Sequence, residues 1–361
     1  MTHVEPGKAE QHVDRTINVL ASGVAHRRYF EDSEKIIIEI FNREPLEEQP
    51  KFVADMGCGD GEWLKRIYQV VESRTLRGKN LEQYPLLMIG ADYNLKAREV
   101  VQHKLEAAGV PNIVLFADVG DPQRFARDLD ELGISIEEGL HVRAFIDHNR
   151  PYRKPEHEMP SFSPLSTGAY ADEEGNPIQN RDLEQSLCEH LRKWAPYIRK
   201  HGLIILEAHN IEPEIASRLL GNTHATAFDT YHGYSNQYPV DFEAFIRQSE
   251  RAGLRNVIHR QMLYPSRLPF VAISLNHFKT EANIHSDSRL VRERPRFDDF
   301  EWIPDGSEDL EDGNALHELL YQHGDLGLPR RWSCYATGLL VARLLASIEK
   351  RLAQIAKNPC G

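Results

Sequence analysis

The sequence has few cysteines and no pattern that would pair them. Its four cysteines are Cys58, Cys188, Cys334 and Cys360, and no two of them form a C-x-x-C pair. This spacing suggests neither a disulfide framework nor a thiolate zinc site, and it favours a reducing compartment.

Long apolar runs and an excess of basic residues are also missing. No stretch approaches the roughly 18 apolar residues of a membrane span, and the N-terminus has no basic-then-apolar signal. The 43 Lys and Arg against 55 Asp and Glu give a net charge of −12, which argues against nucleic acid, because phosphate backbones are bound by basic faces. With 361 residues, 41% of them hydrophobic, the chain can hold a large core. We therefore expect a soluble cytoplasmic protein with no membrane or nucleic-acid partner.

The most informative stretch is residues 52–63, FVADMGCGDGEW, an apolar run that leads into glycines at every second position. This pattern predicts a strand, a tight turn and the start of a helix. Gly57, Gly59 and Gly61 permit positive φ and close approach of a ligand to the backbone, and the helix N-terminus that follows attracts an anionic group. The dinucleotide fingerprint G-x-G-x-x-G does not fit, because the third glycine comes too early.

This stretch, D-x-G-C-G-x-G, resembles motif I of the class I S-adenosylmethionine-dependent methyltransferases. The resemblance implies that Asp55 and the backbone of Gly57, Cys58, Gly59 and Gly61 hold the methionine end of S-adenosylmethionine. An ordinary glycine turn in an α/β domain is the alternative. Seven matched positions in a strand, turn and helix context argue against it.

Two further acidic residues end predicted strands. The strand over 85–92 finishes at Asp92, with Tyr93 beside it, and the strand over 112–118 finishes at Asp118, with Val119 beside it. In doubly wound sheets an acidic residue at the end of the second strand binds the ribose hydroxyls, and the resemblance gives Asp92 that role. It likewise places Asp118 and Val119 at the adenine. For either aspartate alone, helix capping is the alternative.

Strand and helix patterns continue to residue 275 and predict seven strands in a doubly wound, Rossmann-like α/β methyltransferase sheet. We expect an N-terminal helical lid over 1–48, a cofactor-binding core over 49–280 with an insertion at 151–180, and a C-terminal extension over 281–361 that ends in an amphipathic helix. The leading helices would close over the cofactor or pack against the sheet edge. The insertion is an active-site lid or a disordered insert, and we favour the lid.

The fourth predicted strand runs into residues 143–152, RAFIDHNRPY, which crowd a carboxylate, an imidazole and two guanidinium groups near one strand end. In this fold that end faces the methyl group of the cofactor. His148 is the candidate base, with Asp147 beside it, and Arg143 or Arg150 would hold a substrate carboxylate or phosphate. A structural histidine and surface ion pairs of the arginines are the alternatives.

Three motifs, VRAFIDHNRPY, EAHN and YHGYSNQY, resemble those of methyltransferases associated with polyketide synthases, including the metal-dependent domains of apratoxin-type loading modules. The resemblance implies methyl transfer to the acidic α-carbon of an acyl group on a phosphopantetheine arm. We therefore expect metal-assisted C-methylation of a small acyl or carboxylate intermediate of natural-product biosynthesis, either free or bound to an acyl carrier. A metal-independent O- or N-methyltransferase is the rival, and a non-catalytic cofactor-binding protein is the third alternative.

A mononuclear metal site is predicted from polar residues at and after the end of the fifth strand. His209 ends that strand, and His232 and Gln237 lie in the loop that follows. Two imidazoles and an amide oxygen leave open positions that suit iron or manganese acting as a Lewis acid on an enolate. Glu207 and Asp147 are alternative ligands, or partners that orient an imidazole. Because the chain has 17 histidines, chance clustering is the alternative.

Overall fold

The computed structural model describes residues 26–156, 162–219, 237–266 and 270–280. His232 and the predicted C-terminal extension over 281–361, with its amphipathic helix, lie outside the described residues. So does most of the predicted N-terminal lid, before residue 26.

Helices and strands alternate along the chain, as the periodicity predicts. The elements are α1 (Arg27–Phe41), β1 (Phe52–Met56), α2 (Glu62–Arg74), β2 (Leu87–Asp92), α3 (Leu95–Ala107), β3 (Asn112–Phe116), α4 (Pro122–Asp130), β4 (Gly139–Ala144), β5 (Tyr170–Ala171), β6 (Pro177–Ile178), α5 (Asn180–Trp194), β7 (Leu203–Ala208), α6 (Pro213–Leu219), α7 (Phe242–Arg251), β8 (Arg255–Asn256), β9 (Met262–Tyr264) and β10 (Ile273–Lys279). Within the described ranges, none of the helices combines the length and the apolar content needed to cross a membrane.

The main sheet has eight strands, and seven of them follow the order β3-β2-β1-β4-β7-β10-β8. The first five are parallel, and β10 is antiparallel to β7. Both β8 and β9 pair with β10, at opposite ends of one edge, and a short 3₁₀ turn at Ile258–Arg260 separates them. These two short strands, in place of a single one, account for one strand more than the seven expected.

Each face of the sheet carries its own core, because successive side chains of a strand point to opposite faces. Val53 packs with the apolar residues of α1, α2 and α3, while its neighbours Phe52 and Ala54 pack with those of α4, α5 and α7. All five residues of β1 are buried. The sheet is thus doubly wound, and its strand order reverses between β1 and β4, where such folds bind ligands at the carboxyl ends of the strands.

Part of the predicted insertion is fastened to the core by two carboxylates. Glu184 of α5, which is fully buried, accepts hydrogen bonds from the backbone N–H groups of Leu165 (2.6 Å) and Ser166 (2.7 Å). Asp241, which precedes α7, accepts bonds from the backbone N–H (3.1 Å) and the hydroxyl (2.7 Å) of Thr167. Residues 165–167 therefore form a fixed edge of the insertion, and closure of the whole segment over substrate stays a prediction.

Candidate active site

The glycine turn after β1 has the backbone conformation that the sequence predicts. Gly57, Gly59 and Gly61 have φ values of +75°, +54° and +74°, in the region that favours glycine. A Cβ atom added to Gly57 would lie 2.3 Å from Ile146, and one added to Gly61 would lie 2.3 Å from Val101. At Gly59 nothing lies within 4 Å, so this glycine is the open side of the turn, where a ligand can approach the backbone.

The turn is tied to the neighbouring strand. The backbone N–H groups of Gly57 and Cys58 donate to the carbonyl of Ala91 in β2, at 2.7 and 3.2 Å. Cys58 is buried, and burial together with the charges of Asp92 and Asp55 raises the pKa of its thiol. Cys58 is therefore an inert packing residue of the turn rather than a nucleophile.

Asp55 is a buried carboxylate with one unsatisfied oxygen atom. It is 3% exposed, and its Oδ1 atom has no hydrogen-bond partner among the described residues. Burial, and then repulsion by Asp92 and Asp60, raises its pKa well above the usual value. The methionine end of S-adenosylmethionine carries an ammonium group and a sulfonium centre, so the residues present fit this cofactor, and Asp55 is predicted to face its positive charge.

Asp92 lies at the end of β2, beside the turn, as predicted. Its carboxylate accepts hydrogen bonds from the backbone N–H groups of Gly59 (3.2 Å) and Asn94 (2.8 Å). Tyr93 is 39% exposed, and its ring centroid lies 5.2 Å from that of Phe116 at the end of β3. The placement suits a carboxylate that binds ribose hydroxyls at this edge, and that role stays a prediction.

Asp118 and Val119 follow β3 in a turn that α5 holds in place. The Asp118 carboxylate accepts a hydrogen bond from the N–H of Gly120 at 2.7 Å. The indole N–H of Trp194, the last residue of α5, donates to the carbonyl of Val119 at 2.8 Å. The turn predicted to contact adenine is therefore positioned by a helix that also reaches Asp147 in the loop after β4.

The backbone leaves β4 through an unusual conformation. Phe145 has φ +56° and is the one residue other than glycine with positive φ in the described part of the chain. A left-handed conformation costs a bulky residue about 1–2 kcal/mol and tends to occur at functional sites. The Phe145 ring lies 4.1 Å, centroid to centroid, from the imidazole of His26 just before α1. The start of α1 thus lies against the end of β4, where acceptor chemistry is expected.

His148 forms a buried pair with Glu207, near the end of β7. Its Nδ1 atom bonds Glu207 Oε1, and its backbone N–H donates to Glu207 Oε2 at 3.2 Å. The backbone N–H of Ala208 donates to the same carboxylate at 2.7 Å. Glu207 therefore fixes the orientation of the His148 imidazole through Nδ1, and the role of His148 as the base stays a prediction. The sequence offered Glu207 only as an alternative ligand or orienting partner, and the structure favours orientation.

Asp147 has a different role from its neighbour. Its carboxylate accepts from Arg143 Nε at 2.8 Å and lies 2.8 Å from His190 Nε2, and its carbonyl accepts from Arg150 Nη1. Although burial acts to raise it, the charges of Arg143, His190 and Arg150 hold the pKa of Asp147 at about 2. Asp147 is thus an ionised centre that organises the side chains of Arg143, Arg150 and His190, not the acid or base of the site.

His190 is a member of this cluster that the sequence reasoning missed. Burial lowers its pKa to about 4, despite the opposing effect of Asp147, so its imidazole is neutral at neutral pH. The signal was present, because His190 interrupts the buried stripe of Leu183, Leu187 and Trp194 on α5. An imidazole on an otherwise apolar helical stripe needs a buried partner, and here that partner is Asp147.

Two buried guanidinium groups retain unused donors. Arg143 Nη1 and Nη2 and Arg150 Nη2 have no hydrogen-bond partner among the described residues, and both side chains are buried. The Arg143 guanidinium carbon lies 5.2 Å from the centroid of the Trp194 ring. Burial lowers the pKa of Arg150 to about 10, so it remains charged at neutral pH. Buried donors without partners are costly, so this pair suits an anionic group of a ligand.

The predicted metal ligands are not brought together in the described residues. His209 Nε2 lies 2.7 Å from the hydroxyl of Ser274, and Nδ1 lies 3.3 Å from the carbonyl of Val240. Gln237 donates instead to the side-chain oxygen of Asn149 at 3.0 Å. In the described ranges no three His, Cys, Asp or Glu side chains are grouped as metal ligands, and His232 lies outside those ranges.

The family model described as "AprA MT2-like domain" matches residues 10–276. A search of curated protein sequences finds no significant match. Among solved structures, an O-methyltransferase family protein from Burkholderia thailandensis is 11% identical with a TM-score of 0.43, over 74% of this chain and 60% of that one, so the chain spans three fifths of that protein's length.

Two other solved structures are similarly distant. A S-adenosylmethionine-dependent methyltransferase from Clostridium acetobutylicum is 9% identical with a TM-score of 0.41, over 73% of this chain and 98% of that one. The DszA carbon methyltransferase is 10% identical with a TM-score of 0.36, over 63% and 47%. The family match covers well over half of the chain, and the chain therefore belongs to the AprA MT2-like methyltransferase family, whose members use S-adenosylmethionine.

Proposed function

We propose that this enzyme methylates carbon, at the position next to the carbonyl of a small acyl or carboxylate intermediate that is free or bound to an acyl carrier. The observation that carries the proposal is the buried His148–Glu207 pair at the ends of β4 and β7. A carbon acid is far weaker than a hydroxyl or an ammonium group, so its deprotonation needs both a positioned base and positive charge for the enolate. The His148–Glu207 pair and the buried, unpaired donors of Arg143 and Arg150 support both requirements.

His148 is the base in this proposal. Nε2 takes the proton from the α-carbon, and the imidazolium that results is stabilised by the carboxylate of Glu207 on Nδ1. When bound, S-adenosylmethionine supplies an electrophilic methyl group, and the electron pair of the broken S–C bond stays on its sulfur. The carbanion of the acceptor forms the new C–C bond, so protons and electrons balance without another reactant. An amine acceptor would not require this base, because part of it is deprotonated in solution.

Arg143 and Arg150 are proposed to hold a carboxylate of the acceptor or its enolate oxygen. Their three unpaired nitrogen donors are buried, where a charge-assisted hydrogen bond is stronger than in water. Asp147 fixes both arginines from the other side. The acceptor is therefore expected to be anionic or to become so during the reaction, which fits an acyl or carboxylate compound.

A metal would supply Lewis acidity to the same enolate, but His209 does not fit a ligand role as it is placed. Both of its ring nitrogens have hydrogen-bonding partners, and its ring packs 5.4 and 5.3 Å from those of Phe242 and Phe245. We therefore assign no step to His209. Iron or manganese bound through His232 and Gln237 stays a prediction. Metal analysis of untagged protein prepared without chelator tests it, with His232→Ala expected to lose metal and His209→Ala to retain it.

The experiment that tests the carbon acceptor is hydrogen exchange on the acceptor itself. A panel of short acyl-pantetheine thioesters, with and without a second carboxylate, is incubated in D₂O without cofactor, and deuterium at the α-carbon is followed by NMR. We expect exchange in the parent enzyme and about 10²-fold slower exchange in Glu207→Gln, since a positioned base contributes about 10²–10⁴-fold.

The matched control is Glu243→Gln, an exposed glutamate of α7, which should exchange like the parent. Methyl-labelled S-adenosylmethionine then identifies the bond formed. A product methylated at oxygen or nitrogen, together with no α-exchange across the panel, would replace the carbon proposal with the metal-independent O- or N-methyltransferase.

A further inference from the structure

A groove far from the catalytic residues lies where α5 and α7 end side by side. The guanidinium of Arg192 on α5 donates to the carbonyl of Arg251, the last residue of α7, at 3.3 Å. The groove has a volume of about 480 Å³. Its walls are formed by Arg192, Ala195, Pro196, Arg199, Gly253 and Thr280. It lies near the start of β7 and the end of β10, the edge of the sheet opposite the active site.

Three arginines at or beside this groove, which we call the basic seam, have no acidic partner in the described part of the chain. They are Arg192, Arg199 and Arg255. The guanidinium carbon of Arg251 lies instead 4.3 Å from the centroid of the Phe162 ring, away from the groove lining. By contrast, the adjacent Arg247 is paired with Glu184 at 2.6 Å. Arg192 and Arg199 are exposed, and Arg255 lies opposite Lys279 across the β8–β10 pair. On a protein with a net charge of −12, such a concentration of unpaired positive charge indicates a site for an acidic ligand.

The same chain contains an acidic stretch of matching character. Residues 298–312 read DDFEWIPDGSEDLED, with eight carboxylates and no basic residue. The chain reaches this stretch directly from Thr280, which itself lines the groove, through the 17 residues 281 to 297. A linker of that length spans at most about 60 Å and holds a tethered segment at millimolar effective concentration.

We propose that the basic seam binds the acidic stretch 298–312 of the same chain. Single exposed ion pairs contribute only about 0.2–1 kcal/mol, so the contact depends on several pairs and on the tether. It should weaken as salt shortens the Debye length from about 10 Å at 0.1 M to about 3 Å at 1 M. The proposal is independent of the methyl acceptor, and its test requires no turnover.

The test is cleavage of the full chain by a glutamyl endopeptidase, with the fragments ending at Glu301, Glu308 and Glu311 quantified by mass spectrometry. Arg192→Glu/Arg199→Glu is expected to speed these cleavages about fivefold or more, as loss of two pairs predicts. The matched control is Lys35→Glu/Lys79→Glu, which changes the charge equally at exposed positions away from the seam. In the parent, 1 M salt should have the same effect as the seam variant.

A variant with the charges of both partners reversed tests whether the basic seam and the acidic stretch contact each other directly. Asp305→Arg/Asp309→Arg, added to the seam variant, should restore slow cleavage by pairing with the new glutamates. Melting temperatures of all variants show whether the fold is retained. Equal cleavage rates in the parent, seam and control variants would overturn the proposal and leave the arginines of 281 to 297 as the partners of the acidic stretch. Protection that rises with protein concentration would also overturn it, in favour of contact between two copies of the chain.

Discussion

The buried carboxylate of Asp55 leads to a prediction in which cofactor binding, pH and stability are linked. Its pKa is raised well above the ordinary value by burial, and then by Asp92 and Asp60. Unliganded protein therefore retains a proton on Asp55 in a pH range where the unfolded chain has lost it. Bound S-adenosylmethionine brings positive charge to this carboxylate, favours its ionised form and should expel the proton.

The expected magnitude follows from this linkage. Between the pKa of Asp55 in the liganded protein and its raised pKa in the unliganded protein, one proton is released for each cofactor bound, so affinity should rise up to tenfold for each pH unit in that range. In Asp55→Asn the pH dependence should disappear. Affinity at pH 7 should also fall by about 1.5–3 kcal/mol, the value of a hydrogen bond to a charged group, which is about 10- to 150-fold.

The pH dependence of the stability of the unliganded protein has the opposite sign to that of cofactor affinity. Because the folded-state pKa is raised, the stabilisation linked to Asp55 is fully present below the unfolded value of about 3.9 and is lost as pH rises through the folded value. Asp55→Asn removes that loss, so the unliganded variant should melt at a higher temperature than the parent at pH 7. A variant that binds the cofactor more weakly yet is more stable without it is the expected signature of a binding group.

Titration calorimetry in two buffers of different ionisation enthalpy measures both the affinity and the number of protons released. Asp130→Asn, an exposed carboxylate of α4, is the matched control and should behave as the parent. Unchanged affinity and unchanged proton release in Asp55→Asn would refute the reasoning, since the carboxylate would then not face the bound cation.

Three further predictions concern the same edge of the sheet. Gly61→Ala should destabilise the protein by about 1–3 kcal/mol more than Gly59→Ala, since only at Gly61 does the new Cβ meet Val101, at 2.3 Å; urea denaturation measures the difference, and equal losses would contradict the packing account. Phe145→Gly should be about 1 kcal/mol more stable than Phe145→Ala, because both lose the ring but only alanine keeps the left-handed strain; the reverse order in the same assay would rule out strain at φ +56°. Asp92→Ala should weaken cofactor binding by about 2 kcal/mol or more in calorimetry, and a folded variant that binds as tightly as the parent would remove Asp92 from the ribose site.

α5 connects the two halves of the site. Trp194 holds the turn of Val119 on the adenine side, and Arg143 lies over the same indole ring. Four residues earlier, His190 bonds Asp147 in the loop after β4, where the catalytic residues are predicted. A change in this helix should therefore affect cofactor binding and acceptor chemistry together, although none of its residues was expected in the site.

Local sequence patterns were sufficient to predict the backbone of the proposed cofactor site. The glycines from Gly57 to Gly61, with aspartates at the ends of successive strands, are features of short segments, and their strand and turn conformations depend mainly on neighbouring residues. The doubly wound sheet follows from the alternation of strands and helices. The interruption between β8 and β9 was not predicted, because both pair with one edge of β10 and that pairing is not local.

The tertiary structure decided which partners the predicted catalytic residues have. His148 and Asp147 are adjacent in sequence, yet one pairs with Glu207, 59 residues away, and the other with His190, 43 residues away. It also placed His209 against Ser274 and Gln237 against Asn149, so two residues grouped as ligands by sequence have different partners. The physical reason is that a buried polar group must find its partner within about 3 Å in space, wherever the fold brings one, and chain spacing does not record that choice.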